Sequence, residues 1–195
     1  MFPAGKVSML KKIALAYATT ALLVGSAALN VVQAHIVKSY TQPAPLQPAR
    51  GSVAPPLAVR SRDGRPVEIR FEGRPTVLYY FSPSCGWCEK NWPSVNALAA
   101  AVQGRYRFIG LSASADLTAF LKNHKVSFDL YTDVTAEAIR QYHLGGTPRT
   151  VVVSSEGRIE HIWDGAYVAS QQHEVEREFG VILPALASTA VKKAP

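Results

Sequence analysis

The apolar run Thr76-Val77-Leu78-Tyr79-Tyr80-Phe81 leads directly into Ser82-Pro83-Ser84-Cys85-Gly86-Trp87-Cys88, and a helix-like segment follows. A β-branched and aromatic run that closes in Cys-x-x-Cys before a helical pattern puts both sulfurs at a strand-to-helix junction. The first turn of a helix carries unpaired backbone N–H groups and the positive end of the macrodipole, and both favour a thiolate. The thiolate is the nucleophile of disulfide exchange, so this placement predicts a lowered pKa and high reactivity for Cys85. Cys88, one turn further on, is placed to attack a mixed disulfide formed on Cys85 and release the partner. The chain has no other cysteine. None is left for a structural framework, so the compartment must be read from targeting.

Other chemistries of paired cysteines leave different signatures. A structural zinc site needs a second ligand pair at finger-like spacing, and the chain has none. Haem attachment requires Cys-x-x-Cys-His, and the residue after Cys88 is Glu89. A copper carrier would hold the soft metal between two thiolates and a His. His124, His143, His161 and His173 are scattered, and His143 is the nearest of them in sequence to the Gly146-Thr147-Pro148 segment. Copper carriage stays open as an alternative. A peroxidase would need a peroxide pocket around its nucleophile, which nothing in the sequence marks.

The N-terminal part sets the compartment. Residues 13–34 form a stretch of 22 without a charged side chain, and a bilayer-spanning helix needs roughly 20. Lys6, Lys11 and Lys12 precede it and only Lys38 follows closely, so the positive-inside rule exports everything downstream. The length favours an uncleaved anchor, although Val32-Gln33-Ala34 also suits signal-peptide cleavage. The net charge of +7 owes four of its positive charges to those lysines; from Ser39 onward 17 Lys/Arg face 14 Asp/Glu, a net of +3. No basic stripe with interleaved aromatics occurs there, which argues against nucleic acid as a partner. Pro43, Pro45, Pro48, Pro55 and Pro56 mark an extended, semi-rigid tether. The expected organisation is a stub and anchor over 1–38, a Pro-rich linker over 39–52, a globular domain over 53–183 and a flexible tail over 184–195.

Within the domain, 57–60 and 66–70 flank Asp63-Gly64 as a hairpin. A buried strand over 75–81 precedes a helix over 85–102 that contains Pro93 and stops at Gly104. A second buried strand is expected over 107–112, then a helix over 115–124 capped by Ser114 or Asp116. A brief extended segment follows at 127–131, and then a helix over 134–142. Strands over 150–154 and 158–163, joined by Ser155-Glu156-Gly157, precede a last helix over 171–179. The order gives an α/β fold, a central mixed sheet flanked by helices.

Cys85-Gly86-Trp87-Cys88 after a strand, Pro93 in the next helix, Gly146-Thr147-Pro148 before a strand and a final hairpin resemble the thioredoxin fold. The exported anchor and the hairpin before the first long strand are similar to the membrane-anchored, periplasmic TlpA/ResA-type thiol-disulfide proteins. The resemblance implies that Cys85 is the exposed nucleophile and Cys88 the resolving cysteine. It implies a cis bond before Pro148, with Pro148 and Thr147 beside Cys85 as substrate-contacting groups. Trp87, between the cysteines, would contact partners or shield the disulfide. Trp92 and Trp163 are expected in packing, and Arg149 as a solvated strand residue. The sequence also departs from the family, which often has an acid six residues before the first cysteine and Glu three after the second. Tyr79 and Asn91 stand at those positions, and Glu89 points to another part of the helix surface.

The expected function is reduction of disulfides in periplasmic proteins by a single-pass protein of the bacterial inner membrane, or by a soluble periplasmic one after cleavage. The redox-active Cys85–Cys88 disulfide would serve without a cofactor or metal. Apocytochromes and metal-site assembly proteins are the partners that the resemblance suggests. Disulfide formation in the opposite direction is the competing enzymatic reading.

Overall fold

A computed structural model describes residues 4–41 and 49–186, with side chains over 15–34 and 49–186. The proline-rich tether at 42–48 and the tail at 187–195 lie outside the described residues. The chain forms two units, Met1–Ala44 and Pro45–Pro195.

The first unit holds α1 (Ala4–Thr41). Its segment Leu15–Ala34 is 20 residues long, carries no buried side chain, and is long and apolar enough to cross a membrane. At 1.5 Å per residue it spans about 30 Å, the thickness of a bilayer's hydrocarbon core. Thr19 and Thr20 satisfy their hydroxyls within the helix, both donating to the Ala16 carbonyl, at 2.9 and 2.8 Å.

The second unit is built on β1 (Leu57–Ser61), β2 (Pro66–Ile69), β3 (Thr76–Phe81), α2 (Gly86–Ala101), β4 (Arg107–Ser112), α3 (Thr118–Asn123), β5 (Asp129–Thr132), α4 (Ala136–Gln141), β6 (Arg149–Val153), β7 (Ile159–Asp164) and α5 (Ala169–Phe179). The strands form one seven-stranded sheet in the order β2-β1-β5-β4-β3-β6-β7. β3, β4 and β5 run parallel, and the other pairings are antiparallel, so the sheet is mixed as expected. Every residue of β3 is buried, which follows from cover on both sides. Val77, Tyr79 and Phe81 face a core with Trp92, Val95 and Leu98 of α2, Phe120 of α3 and Val175 and Phe179 of α5. Leu78 and Tyr80 face the other core, with Leu57, Ile69, Ile109, Ala138 and Tyr142. Packing on that scale fixes where β3 ends and therefore where the cysteines start.

Several boundaries differ from the sequence reading. The third helix begins at Thr118, because Asp116 Oδ1 accepts from the Thr118 N–H at 2.8 Å and holds 115–117 in a turn. Its N-cap position is Leu117, without a side-chain cap. The fourth helix begins after Thr135, whose hydroxyl accepts from the Ala138 N–H at 3.2 Å. The extended segment near 129 is a full sheet member, placed between β1 and β4. Gly51 and Ser52 belong to the fold: the Gly51 N–H donates to Ile159 O at 2.7 Å and the Ile159 N–H to Ser52 O at 2.9 Å. At the other end, Leu183 is buried and the Ser94 hydroxyl donates to Pro184 O at 2.9 Å, so the segment after α5 packs on α2.

Candidate active site

Cys85 is the N-cap of α2, with φ −87° and ψ 112°. Its N–H donates to Ser82 O at 3.1 Å, which turns the chain out of β3 and leaves the side chain over the helix start. There Sγ accepts from the Cys88 N–H at 3.2 Å. The capping interaction that a Ser or Asp would make with an orphan amide is thus made by sulfur. Both cysteines are free thiols, Cys85 half-buried and Cys88 buried at 1% exposure.

The electrostatics of the two sulfurs diverge. Partial burial pushes the Cys85 thiol up, but hydrogen bonds from the Cys88 and Thr147 side chains and the Cys88 and Trp87 backbone outweigh it, and the net shift is downward. Burial is also the main influence on Cys88, reinforced by the Cys85 side chain, and pushes that thiol up to about 12. Cys85 is therefore the more acidic of the two thiols and the first to become a thiolate.

The structure brings the five expected site residues to one place. The Thr147–Pro148 peptide bond is cis, and the Cys85 thiol donates to the Thr147 carbonyl at 3.4 Å. Pro148 O accepts from the Gly165 N–H at 2.8 Å, which fixes this loop to the end of β7. Trp87, the fifth, is 55% exposed, with the Lys90 ammonium 4.6 Å from its ring centroid. Its ring is open to solvent, while its backbone N–H acts on the Cys85 sulfur.

Other residues behave differently from the sequence reading. Arg149 is not a solvated strand residue: its side chain is 13% exposed and pairs with Asp164 at 2.7 Å. Trp92 and Trp163 are buried as expected. Glu89, in the first turn of α2, meets the His124 ring at 2.9 Å. His161 pairs with Glu178 at 2.9 Å and stacks on Trp163. Among the described residues no three His, Cys, Asp or Glu side chains converge on a common point that suits a metal ion. A cleft of about 400 Å³ lined by Arg60, Arg62, Asp116 and Asp133 shares no residue with the dithiol.

Sequence reasoning missed how the unusual pair Tyr79 and Asn91 is used. Both are fully buried, and Asn91 Nδ2 donates to the Tyr79 hydroxyl at 3.3 Å. Asn91 Oδ1 accepts from the Tyr167 N–H at 3.0 Å, and the Tyr167 hydroxyl shares a hydrogen bond with Thr150 at 2.8 Å. Tyr167 follows β7 in an irregular segment, where no sequence pattern signals a buried partner.

This sheet order, helix arrangement and Cys-x-x-Cys at a helix N-terminus define a thioredoxin-like protein. The chain belongs to the AhpC/TSA family, which matches residues 51–162. Among its relatives, the methylamine utilization protein MauD of Methylophilus methylotrophus is 31% identical over 115 residues, covering 57% of this chain and 54% of the relative. The chain therefore spans about half the length of the MauD relatives it matches. The fold is similar to the thioredoxin domain of a thiol-disulfide oxidoreductase from Bacteroides vulgatus, with TM-score 0.57, 20% identity and coverage of 67% of this chain and 98% of that one. It is also similar to StoA from Bacillus subtilis, with TM-score 0.52, 21% identity and coverage of 63% and 97%.

Proposed function

We propose that this protein is an exported, membrane-tethered thiol-disulfide oxidoreductase of the TlpA/ResA type that reduces disulfides in partner proteins. The observation that carries this reading is the division of labour between the sulfurs. Cys85 sits half-exposed at a helix N-cap with its pKa lowered, and Cys88 is buried with its thiol pushed up to about 12. In the forward direction the Cys85 thiolate attacks a partner disulfide, an S–S bond forms to Cys85, and one partner sulfur leaves as a thiolate. Cys88 then attacks Cys85, the mixed disulfide breaks, and the second partner sulfur leaves. The partner gains two electrons and the Cys85–Cys88 disulfide forms, with no cofactor needed. Trp87, Thr147 and Pro148 surround the approach to Cys85 and form the partner-contacting surface.

The kind of groups that hold Cys85 supports the reductive direction. Strongly oxidising dithiols owe their potential to a stabilised reduced form with a very acidic nucleophilic thiol. The groups that lower the Cys85 pKa are neutral hydrogen-bond donors, with no Lys, Arg or His side chain among them. The apolar segment Leu15–Ala34 and the lysines before it support a single-pass anchor with the domain in the periplasm. Protein disulfides at that membrane face, such as those of apocytochromes or metal-site assembly proteins, are the proposed substrates.

The test is the reduction potential of the Cys85/Cys88 couple, measured by equilibration against glutathione or dithiothreitol buffers. A value near or below about −250 mV supports a reductant, and one near about −120 mV overturns this reading in favour of disulfide formation.

A further inference from the structure

Among the buried polar groups, the Tyr79 hydroxyl has no part in the steps described above. Asn91 is oriented unambiguously, because a backbone N–H can only donate. The Tyr167 N–H takes Asn91 Oδ1 at 3.0 Å, which turns Nδ2 toward Tyr79. The Tyr79 oxygen is therefore an acceptor in that contact, and among the described residues its own proton has no acceptor. The side chain is fully buried on the α2 side of the sheet, in the same core as Cys88. Asn91 lies three residues after Cys88, on the same face of the helix.

The titratable groups that act on Tyr79 are Tyr167, from the segment after β7, and Cys88 and Cys85, from the start of α2; no carboxylate is among them. Burial, the largest influence, holds the phenol well above the ordinary tyrosine range, and negative charge on either sulfur holds it higher still. Tyr79 therefore keeps its proton and cannot act as a base. Its oxygen already accepts from Asn91, and what it has left to offer is its own O–H as a donor.

We propose that Tyr79, oriented by Asn91, donates a hydrogen bond to the Cys88 sulfur as its thiolate develops, so that the mixed disulfide is resolved with no titrating carboxyl beneath the pair. This rests on the reading of Cys88 as the resolving cysteine. In the step, the Cys88 S–H bond breaks, the Cys88–Cys85 S–S bond forms, and the partner–Cys85 S–S bond breaks. The partner sulfur leaves with the electron pair, and the proton that Cys88 released goes to that sulfur or, where the leaving thiol is acidic enough to stay ionised, to solvent. The dithiol has then become a disulfide and the partner a thiol or thiolate, with no external oxidant or base. Tyr79 ends the step as it began, neutral.

The experiment uses the full chain in detergent micelles with dithiobis-nitrobenzoate, which releases one coloured thiolate when Cys85 attacks and a second when Cys88 resolves. For Tyr79→Phe the first release is expected within about twofold of wild type, and the second slower by about tenfold or more, the worth of one hydrogen bond to a charged group. An intact first release also reports that the variant is folded. A second release at the wild-type rate, or both releases slowed alike, overturns the proposal. In wild type the second release should accelerate continuously between about pH 5 and about pH 9, since the only proton to be lost is that of Cys88. An inflection inside that window reveals a titrating carboxyl or imidazole and overturns the proposal independently of any variant. Retention of both releases by Cys85→Ala would instead refute the parent reading.

Discussion

The Cys85 thiol donates to the Thr147 carbonyl across 3.4 Å, joining positions 62 residues apart in the chain. The contact exists because β3 and β6 are antiparallel neighbours, with Tyr80 opposite Arg149. The end of β3 and the start of β6 therefore meet at the same end of two interior strands. Under the proposed function, a partner that reaches Cys85 would also meet the chain at Thr147 and Pro148.

The first prediction concerns which sulfur reacts. Hydrogen bonds lower the Cys85 thiol against its partial burial, whereas Cys88 is pushed up to about 12. Alkylation of the reduced protein by iodoacetamide should modify Cys85 alone, with a pH midpoint below that of an unperturbed cysteine. Peptide mapping identifies the modified residue, and the rate profile gives the midpoint. Modification of Cys88 at a comparable rate would reverse the assigned roles.

Replacing the resolving sulfur should trap the reaction halfway. In Cys88→Ala the Cys85 attack is retained but the intramolecular release is lost, so covalent adducts with partner proteins should accumulate and dissolve on reduction. Non-reducing electrophoresis followed by mass spectrometry detects them. Cys85→Ala should form none, and equal adduct yields from the two variants would contradict the scheme.

How much of this was legible in the sequence depended on how local the signal was. The strand before the cysteines could be read because β3 after Thr76 is apolar and the whole strand is buried, and the placement of Cys85 at the start of a helix followed from the switch of pattern after Phe81. The start of α3 could not, because the Asp116 turn and the helix compete for the same amides and only packing of Phe120 against Trp92 and Phe81 decides between them. Arg149 reads as an exposed strand residue until Asp164 is placed beside it by the β6–β7 register. Tyr79 and Asn91 stood out only as departures from a family pattern. Their contact joins positions 12 residues apart across a strand and a helix, and no periodicity records it.

The packing of the sheet makes a stability prediction. Gly110, in the middle of β4, pairs with Tyr79 on one side and Leu130 on the other. A Cβ there would lie 2.3 Å from Leu130 Cδ2 and 2.9 Å from Phe128 Cε2. The Leu130 terminus can rotate, but the Phe128 ring is wedged against Trp92 and Phe108. Gly110→Ala should cost about 1–3 kcal/mol, the usual penalty of overpacking. Urea denaturation followed by tryptophan fluorescence checks it, and a midpoint equal to wild type would show that the site relaxes freely.

The last prediction links the thiols to stability. An acid whose folded pKa is raised contributes stability that is fully present below its unfolded value and is lost as pH rises toward the folded one. For Cys88 those limits are the ordinary thiol value of 9.0 and about 12. Cys85, lowered in the fold, works with the opposite sign. Its contribution is complete above the unfolded value and falls away as pH drops through the folded one. Between the lowered Cys85 pKa and the ordinary thiol value, the reduced protein should therefore gain slightly in stability, and above that value it should lose stability steadily through Cys88. The oxidised protein has no thiol to titrate and should lack both trends, so the difference between the two forms isolates the cysteines from every other group. Urea midpoints of the two forms, compared across alkaline pH, give that difference directly. A difference that stays flat above the ordinary thiol value would mean that Cys88 ionises as readily in the folded protein as in the unfolded chain, and its assignment as the buried, proton-retaining partner of Cys85 would fail.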